Sequence, residues 1–456
     1  MLEPNIGKTN PLIKENFNKP FIYLSSAVAG LGGLLFGFDI AIISGTIRFF
    51  SEYFLLTEME TGWAVGSISI GAGIGALISG KLSDYFGRKK LLLFSAFLFA
   101  LTGLGTGWAP NFNTFIFCRI LSGVAVGSAA LVCPMYIAEI SPSSIRGRLI
   151  SFYQLSITLG VLIAYLTNYL LLDIGDNNWR WMFSSQSLPA MLFFLFLFFV
   201  PESPRWLIMK GKEYEAHRVI TRSGNEYAEN EIRSIKKSFS IKENINLQLL
   251  LNLRMVKLLF IGIVVAFFSQ TGGPLISYAP EILGQVGMNE GSAFFQSTLI
   301  GLTLFLFTLI AIFTVDTLGR KKLLLFGALL LFIDTFLLAL AIRFSIDPLF
   351  QLILILFFIA IYAASIGPVT WVLLSEIFPN QLRGFGMSVA TLALWISNFI
   401  LLSSFPVLKT QVGMSVTFAV YSSMFLFYFV YLLFFVPETK NKSLEEIQAA
   451  FVSAKL

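Results

Sequence analysis

Residues 84–94 read DYFGRKKLLLF and residues 316–326 read DTLGRKKLLLF, nine identities in eleven positions at a spacing of 232. Two more motifs follow in the same order. AEISPSSIRG at 138–147 is answered by SEIFPNQLRG at 375–384, 237 residues on, and PESPRWL at 201–207 by PETKNKSL at 437–444, 236 residues on. Three motifs repeated in one order at nearly one spacing mark two homologous halves. What the halves are made of is decided by the apolar runs around each motif.

Those runs dominate the composition. Of 456 residues, 56% are hydrophobic and 13% charged, and the mean hydropathy is +0.78. A soluble domain carries about a quarter charged residues, so an ordinary cytosolic enzyme is excluded. A membrane-crossing helix needs about 20 mostly apolar residues. Candidate spans lie near 21–47, 62–82, 91–109, 113–139, 149–172, 182–200, 256–283, 294–315, 323–343, 350–374, 385–408 and 415–436. The reading is an all-α membrane protein of twelve transmembrane helices in two six-helix halves of parallel topology, the arrangement of the major facilitator fold. Its parts are a tail at 1–20, a first bundle at 21–200, a linker at 201–255, a second bundle at 256–436 and a tail at 437–456.

Lysine and arginine in the short connections orient the spans. Lys81, Arg88, Lys89 and Lys90 lie between spans 2 and 3, Arg146 and Arg148 between 4 and 5, and Arg320, Lys321 and Lys322 between 8 and 9. Between spans 1 and 2 a single Arg48 faces Glu52, Glu58 and Glu60. The repeated motifs and both termini are therefore expected in the cytoplasm. The net charge of +6 is spent on this topology, and no nucleic-acid partner is expected. The linker reads as short amphipathic helices, either a solvated connection or a latch on the cytoplasmic side. His217 is the only histidine, so no His-based metal site is available, and no nucleophile–base set indicates an enzyme or a cofactor.

An ionised side chain inside the hydrocarbon region costs at least about 2.5–3.5 kcal/mol and needs a reason. Asp39 sits six to eight residues before the outer end of span 1 and Arg119 about six after the outer start of span 4, so both lie about 10 Å deep. A pair facing a cavity follows. Moving the cation away would leave a buried carboxylate that takes up a proton, the chemistry of proton coupling; a permanent bridge between helices is the alternative. Asp334, mid-span 9, is expected to hydrogen-bond to a neighbouring helix. At the motif face Asp84, Arg88, Glu139, Arg146 and Glu202 mirror Asp316, Arg320, Glu376, Arg383 and Glu438, with Glu139–Arg146 and Glu376–Arg383 among the pairs. Weak paired charges near water suit a gate that breaks in each cycle.

GGLLFGFD (32–39), GKLSDYFGRKK (80–90), PMYIAEISPSSIRGRL (134–149), QLSITLG (154–160), PESPRWL (201–207), GPVTWVLLSEIFP (367–379), LRG (382–384) and PETK (437–440) together resemble the sugar porter family of the major facilitator superfamily, and within it the bacterial proton–sugar symporters of the xylose type. The resemblance spans about 21–448. It implies alternating access for a monosaccharide or polyol with a proton, in a functional monomer; the short tails and the lack of glycosylation sites point to a bacterial inner membrane. It implies coupling by Asp39 and Arg119, because the family's symporters carry Asp and Arg there and its facilitators Asn for the Asp. As substrate ligands it implies Phe36, Gln154, Gln270, Tyr278, Trp371 and Trp395. Family helix 7 reads Q-Q-x-x-G-x-N before a tyrosine pair, whereas this chain has FFSQTGGPLISYAPE at 267–281, with Pro274 where the Asn would fall. Leu304 and Leu394 stand where amides are usual. A more apolar second-half cavity is expected, suited to a deoxy sugar, a cyclic polyol or another less hydroxylated ligand. A facilitative uniporter, a carrier of a non-sugar solute and a non-transporting sugar sensor are the other readings.

Overall fold

The computed structural model describes residues 18–223, 232, 233, 235, 253–285, 290–378, 383–436 and 438. Among them all regular structure is helical. The first half holds α1 (Lys19–Ile42), α2 (Ile47–Phe54), α3 (Glu58–Phe86), α4 (Arg88–Gly107), α5 (Phe112–Ile140), α6 (Ser143–Leu171), α7 (Asn178–Ser185) and α8 (Ser187–Leu197). Two short helices follow, α9 (Pro204–Met209) and α10 (Glu213–Ser223). The second half holds α11 (Leu253–Ser269), α12 (Gly273–Ser277), α13 (Ala279–Gln285), α14 (Glu290–Leu318), α15 (Arg320–Arg343), α16 (Pro348–Ala364), α17 (Ile366–Ile377), α18 (Arg383–Val412) and α19 (Met414–Phe435).

Among the described residues, eleven helical stretches are long and apolar enough to cross a membrane. The expected span at 182–200 is not one helix but α7 and α8, which together run for the length of a crossing. Proline explains this break and two others. Pro189, Pro274 and Pro368 have no N–H to offer the carbonyl four residues back, at Ser185, Gln270 and Ala364. The helices break beside those carbonyls, at Gln186, in the 3₁₀ turn Gln270–Gly272 and at Ser365. The expected spans 256–283 and 350–374 are therefore each crossed in pieces.

Helix starts are fixed by side chains that satisfy orphan N–H groups. Thr57 Oγ1 accepts from Glu60 N at 3.3 Å while Glu60 Oε2 accepts from Thr57 N at 2.8 Å. Asn111 Oδ1 accepts from Thr114 N at 2.9 Å. The glycine of each D-x-x-G-R-K motif turns the chain between helices at positive φ, +103° at Gly87 and +95° at Gly319, a conformation that other residues adopt at a cost.

Inside the first half, α3 and α5 meet through reciprocal glycines. A Cβ at Gly71 would lie 1.9 Å from Ile120 O, and one at Gly123 would lie 2.1 Å from Ile68 O. Across the halves α3 packs on α18 and α6 on α14. The α3–α18 seam has a gradient. Gly62, Gly66, Gly73 and Gly80 fall on one face of α3. A Cβ would meet Ser403 at 2.2 Å from Gly62 and from Gly66, and Leu392 at 3.7 Å from Gly73, and nothing within 4 Å from Gly80. The halves touch at the end away from the repeated motifs and part toward the motif-bearing face. At the closed end Tyr165 donates to Ile276 O at 2.6 Å, and Lys409 pairs with Glu281 and approaches Glu58 at 4.0 Å.

The described part of the linker packs on the first half. Trp206, Leu207, Ile208, Ala216, Ile220 and Ile235 form their own small cluster. Trp206 Nε1 donates to Asp84 O at 3.0 Å, and Asn18 N donates to Ser223 O at 2.9 Å. A latch reaching the second half would have to use residues outside those described.

Candidate functional site

Asp39 on α1 and Arg119 on α5 are 0% and 1% exposed. Arg119 Nη1 lies 2.5 Å from Asp39 Oδ1, and Ser122 Oγ donates to Oδ2 at 2.6 Å. Ser122 follows Arg119 by three residues, so one face of α5 delivers both partners to the carboxylate. Gln186, at the α7–α8 break, donates to Ser122 Oγ at 3.4 Å. The guanidinium carbon sits 5.7 Å from the Phe183 ring centroid. Both carboxylate oxygens are bonded, whereas Arg119 Nε and Nη2 have no hydrogen-bond partner. Removing one member of such a buried pair costs about 3–5 kcal/mol, because the other is left charged and dry.

Arg119 also lines a small enclosed void between the halves, with room for about one water, together with Phe36, Ser277, Trp395 and Asn398. Phe36 and Trp395 face each other at 5.8 Å between ring centroids, tilted by 54°. Beside them runs a polar thread. Ser69 Oγ donates to Asn398 Oδ1 at 2.7 Å, Asn398 Nδ2 to Gln270 Oε1 at 3.0 Å, and Gln270 Nε2 to Ser269 Oγ at 3.2 Å. Apolar rings with a few fixed amides are what a site for a neutral hydroxylated ligand requires. Leu304 and Leu394 are buried, at 5% and 3% exposure.

The other expected ligands fall elsewhere. Gln154 and Trp371 are half-buried and exposed, Trp371 by 37%, outside this enclosed part. Tyr278 does not line it. It is fully buried at the closed end, donating to Leu402 O at 2.8 Å with its ring 4.7 Å from that of Phe405 and tilted by 34°; Ser277 takes the place at the cavity wall, and the next side chain turns toward α18. Asp334 is 2% exposed and neither carboxyl oxygen has a hydrogen-bond partner. The expected bond to a neighbouring helix is absent among the described residues; the α19 hydroxyls that reach α15, Ser415 and Ser422, donate to the carbonyls of Ala339 and Phe332 instead.

At the motif-bearing face Arg88 is the hub of the first half. Its Nε and Nη2 grip Glu139 at 2.9 and 3.0 Å, and its Nη1 reaches Asp84 at 3.0 Å. Glu202 accepts from the backbone N–H groups of Arg88, Lys89 and Ser203 at 3.0, 3.1 and 2.9 Å, capping α4. Burial raises the Glu202 pKa above the ordinary carboxylate value, opposed by those N–H groups and by Arg88. The second half repeats the plan. Arg320 pairs with Glu376 at 3.1 Å, and Glu438 accepts from Arg320 N at 3.0 Å. The expected Glu139–Arg146 pair does not form, because Arg88 already holds Glu139 in a two-pronged grip. Arg146 donates instead to Ser141 O at 3.3 Å. The side chains of Asp316 and Arg383 lie outside the described residues. The described ion pairs on this face join helices of the same half.

Sequence reasoning missed Ser122, Ser69, Asn398 and the Lys409–Glu281 pair. The Asn398 signal was present: an amide one turn after Leu394 on the same helix face.

The family model described as "Sugar (and other) transporter" matches residues 25–451. The arabinose-proton symporter of Bacillus subtilis (strain 168) is 36% identical, the match covering 99% of this chain and 98% of that protein. The D-xylose-proton symporter of Escherichia coli (strain K12) is 36% identical over 95% and 96% of the two chains. The galactose-proton symporter of the same strain is 37% identical over 94% of each. Among solved structures, a partially occluded inward open form of the E. coli xylose transporter XylE superposes with a TM-score of 0.84 at 34% identity, over 93% of this chain and all of that one. XylE bound to 6-bromo-6-deoxy-D-glucose gives 0.80 at 35% identity, over 95% and all.

Proposed function

The chain belongs to the sugar (and other) transporter family, and from that membership we propose that it is a proton-coupled symporter of a neutral monosaccharide or related polyol, working by alternating access. Its multi-pass body would sit in a bacterial inner membrane with the motif-bearing face in the cytoplasm, as the lysine and arginine bias of the connections requires. The described form is then inward-facing, closed outside by α3 against α18 and open toward the cytoplasm.

One observation carries this reading: Arg119 belongs both to the buried pair with Asp39 and to the wall of the cavity that holds Phe36, Trp395 and Asn398. Proton and solute thus meet through one side chain. A proton from outside neutralises Asp39 and breaks its ion pair, which frees the donors of Arg119 for the solute at the cavity wall. Inside, deprotonation restores the pair. The curated relatives are named for arabinose, xylose and galactose, which supports a pentose or hexose. Buried Leu304 and Leu394 in the second half favour a ligand with fewer hydroxyls to satisfy there, a deoxy sugar or a cyclic polyol. Phe36 and Trp395 offer apolar faces to the ring, and Gln270 a polar contact.

Uptake into proteoliposomes under an inward proton gradient tests the proposal, with labelled pentoses, hexoses, deoxy sugars and inositols. The parent should accumulate one of these, and Asp39→Asn should lose accumulation while retaining exchange of the same solute. Equilibration without accumulation by both proteins would make the chain a uniporter.

A further inference from the structure

Asn398 follows Leu394 by four residues, so it projects from the same face of α18 about 6 Å further along the axis. It lines the cavity beside Trp395 and Arg119. A carboxamide offers two N–H donors and two oxygen lone pairs. Asn398 uses one donor on Gln270 and one lone pair on Ser69. One of each remains, and the side chain is half-buried.

Its partners come from different halves. Gln270 belongs to the second half, as Asn398 does, whereas Ser69 lies on α3 in the first. The Ser69–Asn398 bond at 2.7 Å therefore fastens the two bodies together across the cavity. It sits on the seam between Gly66, where α3 and α18 are in tight contact, and Gly73, where they loosen. The bond is also replaceable. Ser69 can turn its hydroxyl to the carbonyl of its own helix four residues back, as Ser95 does to Leu91 O at 3.0 Å. A sugar hydroxyl is chemically the same group as the serine hydroxyl it would displace.

We infer that Asn398 is a substrate-binding amide that Ser69 occupies in the empty protein, so that a ligand hydroxyl competes with Ser69 and unfastens the two halves from within. Two neighbouring hydroxyls of a neutral ligand meet the need: one donates to the Asn398 oxygen and the other accepts its second N–H. A carboxylate does not, because it has no proton to donate. The inference rests on the sugar or polyol reading above and names a residue and a competition that the reading does not contain.

The signature is opposite signs. Exchange of labelled D-xylose, L-arabinose and D-galactose is measured in proteoliposomes at equal pH on both sides, for the parent, Asn398→Ala, Ser69→Ala and the double variant. Asn398→Ala should raise the half-saturating concentration about tenfold, the loss of a ligand hydrogen bond. Ser69→Ala, by removing the competitor, should lower it about threefold, and the double variant should follow Asn398→Ala. A rise in both single variants, or no change in Ser69→Ala, would overturn the competition. Melting curves in detergent check folding, and Asn398→Asp serves as a second variant if the alanine protein is unstable. If the parent exchanges none of the three sugars, the pentose or hexose reading fails by itself, and the same series is run with the deoxy sugar or inositol that the parent takes up. The fastening is then read from spin-label distances between the motif-face ends of α3 and α18, which should shift alike in both single variants; unchanged distances would overturn it.

Discussion

Charge in an apolar run is the most informative event at the scale of a residue, because lipid offers it no solvent. Asp39 and Arg119 announced themselves in this way, and their equal depth followed from counting residues along two oppositely directed helices. Asp334 announced itself equally loudly, yet it ends without a hydrogen-bond partner in α15. A buried carboxyl with nothing to bond is a cost that an apolar side chain of similar size removes. Asp334→Leu should therefore raise the melting temperature in detergent by a few degrees and leave gradient-driven uptake intact; lost uptake would give Asp334 a part in transport. The neutral residues were harder to see. Ser122 and Asn398 matter through the rotation of their helices and through partners 83 and 128 residues away in sequence, and a neutral side chain in an apolar run does not call for a partner as a charge does.

At the scale of the element, apolar length foretold where helices run but not where they break, since Pro134 and Pro406 lie inside unbroken helices while Pro189, Pro274 and Pro368 mark breaks. The pair of glycines before Pro274 marked the broken crossing in the second half. Pro189 stands just after the polar run Ser184, Ser185, Gln186 and Ser187, and the α7–α8 break it causes spans the single residue Gln186. The glycines of α3 have a sharper consequence. A Cβ at Gly66 would fall 2.2 Å from Ser403 Oγ and 3.2 Å from Phe399 O, while one at Gly80 would meet nothing within 4 Å. Gly66→Val should disfavour the described form, abolish net uptake, and raise the labelling of cysteines introduced near Ser277 by a reagent added from outside. Gly80→Leu should leave that labelling as in the parent, because the described form has room for it.

For the whole molecule, the 232-residue repeat made the two-body plan legible, and the basic connections are the ground on which its orientation is proposed. Which end is closed was not legible, because one sequence must encode both closed ends and the structure displays one. The closed end is fastened by few polar contacts. Lys409 holds Glu281 within its own half and reaches Glu58 of the other at 4.0 Å, where Glu58 is 46% exposed. An ion pair so open to water contributes about 0–1 kcal/mol. Lys409→Met should then shift the balance toward the other form by no more than about fivefold, read as faster labelling of the same cysteines from outside. A larger shift would show that the lock resides in Lys409 rather than in the packed glycine seam.

The corners at Gly87 and Gly319 also bear on the order in which the chain is made. Each corner is closed by a carboxylate, Glu202 or Glu438, that accepts the N–H groups opening α4 or α15. Each carboxylate arrives after the last helix of its half. A nascent half therefore reaches full length before its corner can be sealed, and the first is sealed while the second is still unsynthesised. The two bodies that later rock against each other are finished one after the other, each by its own final residue, so that neither needs the other as a template.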